Sequence, residues 1–309
     1  MIFGTPITWL LSEILSIALL FIVLAHAAKR ENAAHRILEF FGFIMAAAIF
    51  ENIGVAYDIY DYDLHRLLMI GKVPLSILII EAAILYAALL LVERLAMPKW
   101  TMPFIVGMLG SVQDMTIDPA SVFDLHSFDG VMSGQWNWTE HYSGGLFGIP
   151  FFNFSGWFTM IAFFVMFILI GRHLYEKKQS KALGYAYPLV AALLTVLLMV
   201  SPVNWFFLYM WPFFGFYVKI PELIMMIINL GFPMALLFVY RKRMKPATFA
   251  ENKLSYCLPV FLHVFCAIVG FAAGIQQAYL PGILVTVLHT AFLAWLYVRG
   301  KKALPEGSR

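Results

Sequence analysis

Two carboxylates four residues apart, Asp114 and Asp118, carry the strongest chemical signal in the chain, and Pro119 follows at once. Spacing i,i+4 sets both acids on one helix face. Pro119 disfavours helical geometry at Asp118, so a helix is expected to end there. Two carboxyl groups in a dry pocket cannot both ionise cheaply, and one then keeps its proton to high pH. Such a group is what general-acid attack on a plain alkene requires. The competing reading is a solvated helix end with Asp118 in a turn. Both acids belong to the stretch from Ser111 to Trp157, which also holds Asp124, Asp129 and Glu140 without one Lys or Arg. Trp136-x-Trp138, with Tyr142 and Trp157, could line a cavity or anchor the segment at a membrane interface, the commoner role for such rings. A desolvated aromatic face stabilises a cation by about 0.5–2 kcal/mol. Gly148, Pro150 and Gly156 around Asn153 favour close backbone approach and a fixed start for the next helix. Asn153 reads either as orienting a water or as capping that helix.

Further carboxylates, Glu13, Glu39, Glu51 and Glu81, lie in or near apolar runs. Each costs about 2.5–3.5 kcal/mol to insert, which makes it a functional candidate by default. Glu51 is the best of them, because Asn52 and the polar stretch Asp58–Asp63 extend its neighbourhood; for Glu13 a structural role is favoured. The eight histidines form no HxxxH or HxxH pair, and His263 and His289 read as satisfied core residues. No P-loop or dinucleotide fingerprint is present. Asp58-x-x-Asp61-x-Asp63 taken with Asp114-x-x-x-Asp118 looks like the Asp-rich motifs with which UbiA-type prenyltransferases hold Mg²⁺ against a diphosphate. Only Arg66, Lys72 and Lys219 are at hand to meet the phosphates, so no metal and no cofactor is expected.

The elements that must position these residues are apolar helices. At 62% hydrophobic and 13% charged, the 309-residue chain departs far from soluble domains. Long continuous apolar runs exclude a barrel and leave an all-α, multi-pass membrane protein, read as a single domain over 1–309 with 111–157 as its motif-bearing segment. Spans are expected near 7–27, 37–57, 67–92, 101–117, 148–171, 184–203, 221–240, 254–275 and 281–299, about nine in all. Residues 205–219, rich in aromatics, suggest an interfacial or re-entrant turn. All but Arg66, Lys72 and Lys219 of the 21 Lys and Arg follow odd-numbered spans, from Lys29 to Arg309. The positive-inside rule then places the N-terminus outside and the C-terminus in the cytoplasm. The candidate polar groups gather toward the outer ends of their spans. Cys257 and Cys266 are too far apart on one helix for a disulfide. The first run reads as a retained helix and not as a signal peptide, and a cell membrane is the expected location. Nothing points to nucleic acid.

Glu51-Asn52-Ile53-Gly54, Tyr60-Asp61-Tyr62, Lys72-Val73-Pro74-Leu75, Asp114, Asp118-Pro119, Trp136-x-Trp138 and Phe147-Gly148-Ile149-Pro150-x-x-Asn153-Phe154-x-Gly156-Trp157 together resemble the integral-membrane carotenoid biosynthesis family that includes the carotenoid 1,2-hydratases. The likeness covers roughly Glu51 to Trp157. The link through His141-Tyr142-Ser143 is longer than that pattern, and 54–63 is unusually acidic. The resemblance implies addition of water to the terminal 1,2 double bond of an acyclic carotenoid, without a cofactor. Asp114 or Asp118 would donate the proton, and Trp136 and Trp138 would stabilise the cation. Asn153, with Tyr142 or Glu51, would place the water, while Trp157, Pro150 and Lys72 would complete the substrate contacts. The partners implied are a lipophilic carotenoid and membrane lipid, with association with other carotenoid-pathway membrane enzymes left open. The alternatives are a Mg-dependent prenyltransferase or lycopene elongase, and a transporter with Glu51, Lys72 and Asp114 on an ion path, although no repeated pair of broken helices is visible.

Overall fold

The computed structural model describes residues 1–302 apart from Phe3, Glu140, His141, Ser143, Pro246, Ala247, Ala250 and Glu251, with only the backbone of Lys301 and Lys302. Glu140, the His141 and Ser143 of the lengthened link, and the terminal Arg309 therefore lie outside the described residues. The chain runs α1 (Ile7–Ala28), α2 (Ala33–Ala56), β1 (Tyr60–Tyr62), β2 (Met69–Ile70), β3 (Val73–Pro74), α3 (Leu75–Glu93) and α4 (Met102–Val122). It continues with β4 (His126–Phe128), β5 (Val131–Ser133), β6 (Trp136–Trp138), α5 (Phe151–Lys178), α6 (Lys181–Met199) and the short α7 (Pro202–Tyr209). Helices α8 (Lys219–Tyr240), α9 (Lys253–Ala272) and α10 (Gln276–Lys302) complete it.

Among the described residues, 8 helices are long and apolar enough to cross a membrane. The exception among the long helices is α4, at the fourth expected span. It is 21 residues long but holds Ser111, Gln113, Asp114, Thr116 and Asp118, all buried. It packs among α3, α5, α8, α9 and α10, so protein rather than lipid surrounds it and an apolar surface is not required of it. Apart from Ser76 and Glu81, helix α3 is apolar all round and buried almost throughout, as such a helix must be at the centre of a bundle. Outer helices turn Ile14, Phe21, Leu197, Val239, Ile268 and Leu288 outward. Polar groups inside and large apolar ones outside is the arrangement a bilayer selects.

Two expectations are corrected. The third span was expected from residue 67, but α3 begins at Leu75. Residues 69–74 make the β2–β3 hairpin, whose turn needs the positive φ of Gly71 (+64°) and whose last residue, Pro74, starts the helix. A helix end was expected at Asp118, yet α4 runs through Pro119 to Val122. The missing N–H removes a single helix bond, and the last turn is held from outside by Gln135 N–H on the Ser121 carbonyl at 3.0 Å. Within 205–219, the first residues belong to α7 and the rest form turns that expose Phe213 and Phe214.

At the end where α1, α3 and α5 begin, β1 pairs antiparallel with β6, setting Tyr60 opposite Trp138 and Tyr62 opposite Trp136. This ladder ties the segment after α2 to the segment after α4. The opposite end holds a buried ion network: Arg172 grips Glu39 at 2.6 and 2.5 Å and reaches Glu93, which also takes Arg36 at 2.7 and 2.8 Å. Tyr187 donates to Glu39 as well.

Candidate active site

The ladder presents alternate residues to one side. Tyr60, Tyr62, Trp136 and Trp138 face into the bundle, while Asp61 on the other face of β1 is exposed. Both tyrosine hydroxyls donate to the same oxygen of Glu51, each at 2.7 Å. Burial, and then the nearby Glu51 carboxylate, push both phenols well above the usual range, so they remain donors. Gly54, one turn beyond Glu51, makes this possible: a Cβ there would lie 2.4 Å from the Tyr60 hydroxyl oxygen.

Across the site, α4 and α5 meet at their ends. Asp114 and Asp118 share a face, as expected from their spacing, and Asn153 in the first turn of α5 donates one amide N–H to each, at 2.6 and 2.7 Å. Asn153 does not cap its own helix, since Pro150 occupies that position and no side chain bonds there. Asp114 is fully buried behind Asp118 and keeps one oxygen without a hydrogen-bond partner among the described residues.

Between these two groups lies a cavity of about 820 Å³, within the size range of sites that enclose organic ligands. Glu51, Glu81, Asp118, Asn153, Trp136, Trp138, Tyr142 and Trp157 line it. Rings meet edge to face around it: Tyr60 with Trp138 at 5.0 Å, Trp138 with Phe152 at 5.6 Å and Tyr142 with Phe152 at 5.4 Å. Trp205, Tyr209 and Phe216, from α7 and the turns after it, close another part of the wall. Tyr57 and Val200 line the cavity and are exposed, so it reaches the surface near the ends of α2 and α6.

Pro150 stands outside the lining, as does Lys72, whose long charged chain sits in water on the β2–β3 turn. The Lys72 backbone N–H instead donates to Asn52 at 2.9 Å. Asp58 and Asp61 are exposed and Asp63 binds His65 at 2.9 Å, so that acidic set does not converge with Asp114 and Asp118. Glu13 pairs with Arg66 at 2.7 Å, the structural role expected of it. Arg66 also bonds Gln135 and Ser76 at 3.0 Å each and is the one basic residue in the described lining. His263 and His289 pack on each other at 2.9 Å beside Gln113 and Thr116, as buried, hydrogen-bonded groups.

Sequence reasoning missed the phenol pair on Glu51 and the place of Arg66. Tyr-x-Tyr and Trp-x-Trp, each of period 2, were the available signal.

Fold and site together define a multi-pass helical membrane protein with an acid-lined aromatic cavity near one end of its bundle. The sequence model of the carotenoid biosynthesis protein family matches residues 8–221, and the chain belongs to that family. No curated protein and no solved structure matches it. All the acids and rings of β1, β6, α2, α3, α4 and α5 described above fall inside the matched segment, whereas α9 and α10 lie beyond it.

Proposed function

We propose that the protein is an enzyme that adds water across the terminal 1,2 double bond of an acyclic carotenoid, giving a tertiary alcohol. The observation that carries this reading is a large aromatic cavity walled by three carboxyl groups from three helices, Glu51, Glu81 and Asp118, with its only described cation, Arg66, already engaged. A diphosphate substrate would need several free cations, which disfavours the prenyltransferase alternative. An alkene needs a proton donor, a polarisable wall and one held water.

Asp118, facing the cavity, is the donor, and Asp114 shares the Asn153 amide with it. Two acids this close relieve their repulsion by holding one proton between them. Protonation at the less substituted carbon leaves a tertiary cation, and the faces of Trp136 and Trp138 stabilise it. Glu51, which accepts from both Tyr60 and Tyr62, takes the proton that the attacking water releases. Both Asn153 hydrogens are spent on the acids, so Asn153 sets their geometry, and its carbonyl oxygen, which accepts no bond among the described residues, orients water. The polyene reaches the site from the bilayer.

The test is expression beside a pathway that makes acyclic carotenoids, read by product mass. A gain of one water per end, persisting in chelator, supports hydration. A gain of five carbons dependent on Mg²⁺ points to elongation, and unchanged carotenoid points to transport. Asp118→Asn should insert normally and give no hydrated product; full activity in that variant removes the acid role assigned to it.

A further inference from the structure

Glu81 projects from the central helix α3 into the cavity, 2% exposed, with its Oε2 lacking a hydrogen-bond partner among the described residues. The other acids of the site all have donors: Tyr60 and Tyr62 for Glu51, Asn153 for Asp114 and Asp118. Helix α3 packs against both α2, which carries Glu51, and α4, which carries Asp118, and all three acids line the same cavity. A buried carboxyl oxygen left without a donor costs about 1–3 kcal/mol, so its retention asks for a use.

Proton accounting supplies one, given the hydration reading above. In each turnover Asp118 loses a proton to carbon. The water oxygen bonds to the cation, and its surplus proton ends on Glu51. Substrate plus water has become alcohol with no change of redox state, but the two acids have exchanged protonation states. The next turnover requires a proton to travel from Glu51 back to Asp118 across a cavity of apolar and aromatic side chains. A protonated carboxyl group does this well, because it accepts at one oxygen and releases from the other.

We infer that Glu81 is the proton-return residue, receiving the proton from Glu51 and passing it to the Asp114–Asp118 pair. The experiment compares Glu81→Gln and Glu81→Asp with the full-length wild type in lipid nanodiscs, using an acyclic carotenoid both below and in excess of the enzyme. Glutamine keeps the shape and cannot relay. Its first turnover should run near the wild-type rate, ending in a burst of about one product per enzyme. Its steady-state rate should fall by about 10²-fold, the lower range for a positioned proton-transfer group. Glu81→Asp should recover part of that loss. A folding defect would lower both phases and the elution homogeneity together, and aspartate would not rescue it. Wild-type steady-state turnover in Glu81→Gln overturns the inference, and so does loss of the first turnover in a well-folded variant. A wild-type protein that adds no water at all overturns the hydration reading and this inference with it.

Discussion

Removing the Asn153 side chain is the sharpest probe of the acid pair. Asn153→Ala deletes two short bonds, 2.6 Å to Asp114 and 2.7 Å to Asp118, while leaving both carboxyl groups buried. A hydrogen bond to a charged group contributes about 1.5–3 kcal/mol. Loss of both would approach about 3–6 kcal/mol if neither acid changed state. Uptake of a second proton offsets part of this, so about 3 kcal/mol is expected. On the chemical step that is about a 10²-fold loss of rate, at 1.36 kcal/mol for each factor of ten. Thermal unfolding in detergent should fall too, since buried polar groups lose their partners. The decisive measurement is the double-mutant cycle with Asp114→Asn. A neutral amide beside Asp118 no longer needs the Asn153 donor to the same degree. Asn153→Ala should therefore destabilise the Asp114→Asn background by about 0.5–3 kcal/mol less than it destabilises the wild type. Strict additivity in stability, or an Asn153→Ala variant that hydrates at the wild-type rate, refutes the claim that one amide organises both acids.

Three further outcomes concern the other side of the cavity. Tyr60→Phe and Tyr62→Phe each remove one donor from Glu51, worth about 1.5–3 kcal/mol, and each should slow hydration by about 10- to 10²-fold with the double variant slower than either. Because both phenols titrate well above the ordinary value of about 10, the wild-type pH–rate profile should show no tyrosine limb there. Gly54→Ala should reproduce the Tyr60→Phe defect and add a stability loss of about 1–3 kcal/mol, seen as a lower melting temperature, since the new methyl occupies the place of the Tyr60 hydroxyl.

Much of the bundle could be read in the chain because the bilayer imposes one rule on every span. Apolar runs of 19 to 28 residues return as helices, and α4 differs because it meets no lipid. Prolines misled twice: a helix end was expected at Asp118, and the third span was drawn straight through Pro74. Inside a crowded bundle neighbours hold the chain, as they also do at Pro188, Pro233 and Pro259, whereas beside Gly71 the proline marks a true turn. The common face of Asp114 and Asp118 was legible from local geometry. Their link to Asn153 was not, because its side chain crosses to another helix instead of bonding its own. The ladder of β1 and β6 joins strands of 3 residues each, too short for a strong local pattern and dependent on two distant loops meeting. Arg66 looked like a stray cation outside the charge pattern, and its partner Glu13 stands a whole helix away.

Helix α9 supplies Leu262, Phe265 and Val269 to the cavity wall, yet it lies past residue 221, where the match to the family stops. Every acid of the site thus lies inside the matched segment, while one part of the wall is built from beyond it. On the hydration reading, exchange of α9 between relatives would reshape this part of the chamber and leave every acid of the site in place.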